Sequence, residues 1–315
     1  AAALAVVPTF VQEVYVRHLL IMVFVYGAVA ASWDLSLGYG GIFNFGHLAL
    51  FGVGLYTYAL LTKLAGLDPW LAVLAGGGAA VIAAALISAP ILRLKGIYIV
   101  LVSFAFSQLV LQLIISESAY TGGNSGLVRV PMLAIPGHNM ARDNKLAYYY
   151  IALGLLVLCV IFLRGFVRSP LGRSVIALRD NEEYAVSRGV SLARQRLITL
   201  CGSALFTGLA GAFYGGYFRN ASTDVFGISL TTLLLSMVLL GGRATIYGAV
   251  LASFLLTFLS EAIADFGAWR PIVVGALIIA VMLVYPNGLA GAFSAAARRL
   301  GEFAGRASPS TKTSS

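Results

Sequence analysis

The chain has 315 residues, of which 60% are hydrophobic and only 10% charged; a soluble domain carries about 25% charged residues, so a water-soluble globule is excluded and an integral membrane protein is indicated. The formal charge of +9 does not point to nucleic acid, because the basic residues sit in short loops between apolar runs, which is the positive-inside pattern. Cys159 and Cys201 both fall within apolar runs and read as small buried residues without a disulfide or redox role.

In chain order, AAALAVVP (1–8) lacks an initiator Met and a basic n-region, so it makes no signal peptide; it reads as the tail of a helix whose beginning is missing. A spanning helix needs about 20 mainly apolar residues, and spans are expected near 15–33, 42–62, 69–92, 96–116, 147–163, 197–216, 228–240 continuing to 248–262, and 270–285. Within the first pair, SLGYGGIFNFGHLALFGVG (36–54) places Asn44 and His47 among six glycines at membrane depth. A Gly-interrupted span points to a transport path, because unwound backbone in a membrane needs protein or a cavity around it. For His47 the preferred role is a neutral imidazole hydrogen-bonded between helices, with Asn44 one turn earlier sharing its face. No Cys, Asp or Glu stands near it at ligand spacing, so a metal site has no support.

The loop 117–146, with TGGNSG, Pro131 and Pro136-Gly137, is rich in turn formers and is expected to be a structured external segment. Next comes a polar island, RGFVRSPLGRSVIALRDNEEYAVSRGVSLARQR (164–196), which carries seven arginines against three acids clustered at Asp180, Glu182 and Glu183. Asp180 with Glu183 three residues on has the form of a capping box. Gly189 is placed to end that helix in the left-handed conformation, and Ser191 can cap a second helix running straight into the next span. A helix from Asp180 to Gly189 is marginal alone and should pack on the bundle floor or on a partner; the acids beside Tyr184 favour the partner. Further on, GLAGAFYGG (208–216) reads as close helix packing through small residues, and LLGGRATIYGAV (239–250) as a second Gly-interrupted span.

With the island cytoplasmic, alternation collects fourteen Lys and Arg on that side (the island, Arg93, Lys95, Arg243 and the tail) against six outside, Arg17 making up the twenty-one, so that orientation is favoured. The acids Glu13, Asp34, Glu117, Asp224, Glu261 and Asp265 all fall near expected span ends, leaving no internal carboxylate for ion coupling, and no GxxxxGK[ST] loop is present to bind ATP. The expected fold class is therefore all-α: a polytopic transmembrane helix bundle of about eight spans, with Gly-interrupted helices and a short cytoplasmic helix. One domain covers 1–297, and 298–315 is a polar tail expected to be disordered.

LGYGGIFNFGHLALFGVGLYTYALL (37–61), LKGIYIVLVSFAFSQLV (94–110), TGGNSGL (121–127), SPLGRSVIALRDNEEYAVSRGVS (169–191), GLAGAFYG (208–215), GGRATIYGAVLAS (241–253) and RPIVVGALIIAVMLVYPNGLAG (270–291) together resemble the permease subunits of ABC importers for branched-chain amino acids, of the LivM type. The resemblance implies that 180–189 is the coupling helix docking on a cytoplasmic ATPase. Glu183, Ala185 and Gly189 fall on the E-A-A-xxx-G pattern with Tyr184 replacing the middle Ala, although the I-x-L-P that often follows is absent. It implies a homologous second permease subunit in a heterodimer, two cytoplasmic ATPases that carry ATP and Mg, and a soluble periplasmic or extracellular binding protein; this chain binds no cofactor itself. The expected location is the bacterial inner membrane, with the C-terminus and the 164–196 loop cytoplasmic.

The candidate coupling residues are Arg179, Asp180, Glu182, Glu183, Tyr184, Ala185 and Gly189, and the candidate path residues Asn44, His47, Tyr56, Ser103 and Gln108. The expected function is a transport subunit and not an enzyme, moving a branched-chain or related aliphatic amino acid by alternating access. The alternatives are a urea or short-amide permease of the same family, or a self-sufficient channel or secondary carrier for a neutral solute.

Overall fold

The apolar runs become helices, and the residues that interrupt them decide where each helix starts and stops. The structure, a computed structural model, describes residues 13–133 and 145–263 together with Trp269, Ile272, Val273, Gly275 and Ala276. Apart from those positions the expected span at 270–285 lies outside the described residues, as do residues 1–8 and the tail 298–315.

Helix α1 (Val14–Asp34) continues through one π-helical turn (Leu35–Tyr39) into a single membrane-length segment of 26 residues. This corrects the expectation that the span closes at residue 33 with Asp34 at its end. Leu35 and Leu37 extend the buried apolar surface, and Asp34 is fully buried. Helix α2 (His47–Lys63) begins later than expected, because Gly40, Gly41 and Gly46 leave 40–46 irregular. Asn44 therefore stands before the helix, not one helical turn from His47, and its Oδ1 accepts the Gly46 N–H at 2.8 Å.

Helix α3 (Pro69–Ile91) starts at Asp68, whose carboxylate accepts the Trp70 N–H at 2.9 Å, with Pro69 in the first turn, where its missing N–H costs nothing. Helix α4 (Ile97–Ser116) follows, then one turn α5 (Ser118–Thr121) and a two-residue strand β1 (Leu127–Val128). Strand β1 pairs antiparallel with β2 (Asn220–Ala221), Leu127 facing Ala221. Helix α6 (Leu146–Arg168) leads into the island, which contains α7 (Pro170–Asp180) and α8 (Glu182–Ser187) before α9 (Leu192–Phe218). The broken seventh span is two helices, α10 (Ile228–Gly241) and α11 (Ile246–Ala262). Among the described residues five helices are long and apolar enough to cross a membrane, with α10 and α11 apolar but shorter.

Helix α9 is the hub, packed against α1, α2 and α3, while α1 also packs on α6 and α11. These contacts need small residues: a Cβ on Gly54 would overlap the Gly208 backbone, and one on Gly211 would overlap the Phe51 carbonyl. The stretch GLAGAFYGG is thus close helix packing. Helix α1 is apolar on all sides and buried over most of its length, as a central helix should be. Helix α4 is the opposite case, with only Ile99, Ser103, Ser107 and Ile114 buried.

Among the described residues several of the charges expected to group together do so at each end of the bundle. Lys95 pairs with Glu182 at 2.9 Å and Arg196 donates to the Leu94 carbonyl at 3.1 Å, so the 92–96 loop shares the island's side. Lys63 donates to the Val128 carbonyl at 2.9 Å, and the Val130 N–H to the Arg219 carbonyl at 3.0 Å, which gathers the opposite end.

Candidate coupling surface and intramembrane polar site

The island is built as a staircase of capped helices. Ser169 is extended and its Oγ accepts the Gly172 N–H at 3.2 Å, with Pro170 in the first turn of α7. This start was legible as Ser-Pro before an amphipathic run, yet the sequence reading passed over it. Val175 and Leu178 form the buried face. Asp180 is the last residue of α7 and not the cap of the helix after it. Asn181, extended at φ −154°, takes that role, its Oδ1 accepting the Tyr184 N–H at 2.9 Å. Asparagine and aspartate cap about equally well, and Arg179 holds the Asp180 carboxylate through Nε at 2.9 Å and Nη2 at 2.8 Å.

Helix α8 is consequently shorter than expected, with Glu182 and Glu183 in its first turn, where acids complement the helix dipole. Gly189, at φ +85°, ends it; the Gly189 N–H donates to the Val186 carbonyl at 2.9 Å and the Val190 N–H to the Ala185 carbonyl at 3.1 Å. Ser191 then caps α9 through the Arg194 N–H.

The seven candidate coupling residues divide by what they touch. Glu182 bridges Lys95 at 2.9 Å and Arg196 at 3.2 Å, Ala185 is buried, and the Arg179 Nη1 donates to the Gly38 carbonyl at 2.9 Å. Glu182, Ala185 and Arg179 thus fix α8 to the bundle, while Asp180 and Gly189 are exposed. Glu183 and Tyr184 face away from it, Tyr184 59% exposed and its hydroxyl accepting from Arg188 at 3.0 Å.

The candidate path residues likewise separate. His47 is fully buried, its Nε2 2.6 Å from the Thr207 hydroxyl and its ring stacked on Trp33 with centroids 5.2 Å apart. Ser32 closes the triangle, 2.9 Å from Thr207 Oγ1 and 3.5 Å from His47 Nε2. The network ties α1, α2 and α9 together, the role preferred for this histidine. Its partners were hidden because Ser32 and Thr207 are single polar residues in distant apolar runs.

Asn44 is buried and Ser103 Oγ accepts the Phe45 N–H at 2.9 Å while donating to the Val100 carbonyl at 3.0 Å, so these two brace the irregular 40–46 segment against α4. Tyr56 is 3% exposed, with a hydroxyl that finds no partner among the described residues. Gln108 alone lies on the outer surface of the bundle.

One participant was missed altogether. The Asp34 Oδ1 accepts the Ala244 N–H at 3.0 Å, and Ala244 is left-handed at φ +59°. The break between α10 and α11 is therefore held by a carboxylate buried in the first span. This corrects the expectation that no span carries an internal carboxylate, although here the group is engaged with backbone.

Comparison with known proteins places this architecture. Residues 15–284 match the family described as branched-chain amino acid transport system, permease component. The chain is 28% identical over 289 residues to the high-affinity branched-chain amino acid transport system permease protein LivM of Salmonella typhimurium, covering 85% of this chain and 68% of that protein. It is 25% identical over 287 residues to the LivH permease protein of Escherichia coli, covering 84% of this chain and 91% of that one. No solved structure matches it significantly. A multi-pass helical bundle with this match over most of its length belongs to the family of branched-chain amino acid transport permeases.

Proposed function

We propose that the chain is a permease subunit of an ATP-driven importer that moves branched-chain or related aliphatic amino acids across the bacterial inner membrane by alternating access. A homologous second permease, two cytoplasmic ATPases holding ATP and Mg, and a soluble binding protein complete the machine. The relatives include both LivM and LivH permease proteins, which supports pairing between two related permeases. The observation that carries the coupling role is the division within α8: Glu182 and Ala185 secure the helix to the bundle, whereas Glu183 and Tyr184 point out of it. A short helix locked at one face and acidic-aromatic at the other transmits a push from a partner without deforming.

The test is Glu183→Lys in the complete importer reconstituted in proteoliposomes. A like-charge contact placed in an interface costs several kcal/mol; uptake should fall by about tenfold or more, each tenfold being ~1.4 kcal/mol, while the complex still assembles and hydrolyses ATP. Normal coupled uptake would sink the assignment.

A second reading, a self-sufficient carrier for a neutral solute such as urea, is favoured by Asp34, a buried carboxylate of the kind that couples transport to an ion. Solute uptake by the purified chain alone in liposomes would establish that reading and displace the first.

A further inference from the structure

Beneath the island the bundle is not closed. A cavity of about 170 Å³ lies where α7, α8 and the start of α9 meet the irregular segment after the π-helical turn, room for about five or six waters. Arg179 and Glu182 stand at its mouth, their side chains 31% and 30% exposed, while Gln195 and Thr199 of α9 are buried. Gly40 and Gly41 form part of the wall: a Cβ on Gly40 would crowd the Thr199 methyl, and one on Gly41 the Arg179 stem.

The lining offers three kinds of contact. A guanidinium has five N–H donors. Arg179 uses three of them, two on Asp180 and one on the Gly38 carbonyl, and Arg196 uses three, on Glu182 and the carbonyls of Ile91 and Leu94. Two donors on each are left over among the described residues. The ion pairs here set Lys95, Arg179 and Arg196 against Asp180 and Glu182, so one positive charge is in excess. Spare donors and excess charge together suit a carboxylate. The Gln195 Oε1, in contrast, is a buried acceptor that finds no donor among the described residues, a costly state for a buried polar atom. Ile42, Val175, Leu178 and Leu192 complete the lining with aliphatic surface.

We propose that this cavity is a cytoplasmic regulatory site for a free aliphatic amino acid, and that filling it slows import. The proposal rests on the importer reading above and adds feedback by the imported product. Arg179 and Arg196 take the carboxylate, Glu182 and the Gln195 amide oxygen take the ammonium, and the side chain lies on Val175 and Leu178. The site joins parts that must shift against one another if α8 transmits work. Arg179 belongs to α7, Gln195 to α9, and Gly40 and Gly41 to the link between α1 and α2. A ligand held across all three favours the arrangement in which they are closed, and it reaches them from the side on which cargo is released.

The complete importer in nanodiscs, without ATP or binding protein, should bind tritiated leucine. The probe 4-methylpentanoate, which lacks the ammonium, should compete about tenfold or more weakly. Gln195→Leu and, from another part of the wall, Leu192→Trp should each weaken leucine binding about tenfold. In proteoliposomes with ATP enclosed and leucine-loaded binding protein outside, internal leucine at ten times its dissociation constant should leave about a tenth of the complexes free and cut the initial uptake rate to match. Both variants should assemble, import into leucine-free vesicles within about twofold of the unmodified complex, a shift below 0.5 kcal/mol, and escape the inhibition. Absence of leucine binding and of inhibition, which leaves a cavity holding water alone, overturns the site while the importer reading stands. Binding and inhibition that both variants retain, or equal competition by 4-methylpentanoate, overturn it as well. Absence of leucine uptake into leucine-free vesicles by the unmodified complex overturns the importer reading and the feedback with it.

Discussion

Helices α9 and α4 are both apolar segments of membrane length, yet they handle polarity in opposite ways. On α9 the inward hydroxyls are answered within the chain: Thr207 meets His47 and Ser32, and Thr199 and Ser203 bond back to the carbonyls of Gln195 and Leu200. On α4 the inward Ser103 is answered in the same way, but the Gln108 and Gln112 side chains turn outward with no hydrogen bond to a described residue. In a membrane the location of a polar residue says less about its role than whether its hydrogen bonds close. The α9 hydroxyls close within the chain, whereas the α4 amides close on no described residue.

The largest effect should come from breaking the scaffold at its tightest point. Gly211→Leu drives a branched side chain into the Phe51 carbonyl, and overpacking of this kind costs about 3 kcal/mol or more. Detergent-solubilised protein should show a sharply lower thermal midpoint and poor yield; wild-type stability would mean that α2 and α9 do not approach as described. A smaller change follows from His47→Leu, which leaves Thr207 and Ser32 only each other as side-chain partners. Loss of a buried partner costs about 1–3 kcal/mol, and uptake per assembled complex should stay within about twofold of wild type, a shift below 0.5 kcal/mol. A collapse of uptake with stability unchanged would place the path at the His47 network. The least disruptive is Asn181→Ala, which removes the cap of α8 for ~1 kcal/mol; hydrogen exchange should accelerate over 182–187, while Asp180→Ala should leave that segment protected. The reverse pattern would restore Asp180 as the cap.

Much of the island was readable in advance because its signals are local. Ser191 and Gly189 sit where a cap and a left-handed stop belong, and both do what their chemistry requires. The register of the α8 cap slipped by one residue because Asp180 and Asn181 are both competent, and only the contact of Arg179 with Asp180 and Gly38 selects between them. The path residues were legible as polar groups at membrane depth but not as partners. Nothing near Phe45 announces Ser103, and nothing near His47 announces Thr207, since those pairings cross long stretches of chain.

The sequence by itself determined that this is a many-helix membrane protein, where its apolar runs lie, how its Lys and Arg divide between two sides, and which permeases it resembles. Those properties are written in composition and short spacing, which lipid and water read without reference to the fold. Tertiary structure decided which of the polar residues are enclosed and which are presented. It buried Asp34 against the break before α11 and turned Glu183 and Tyr184 outward while Glu182 held the helix down. It also set Gln108 and Gln112 on the open face of α4. Burial in a bundle depends on which helix lies beside which, and that is fixed by where glycines such as Gly54 and Gly211 let backbones touch, a relation between distant residues that no local pattern contains.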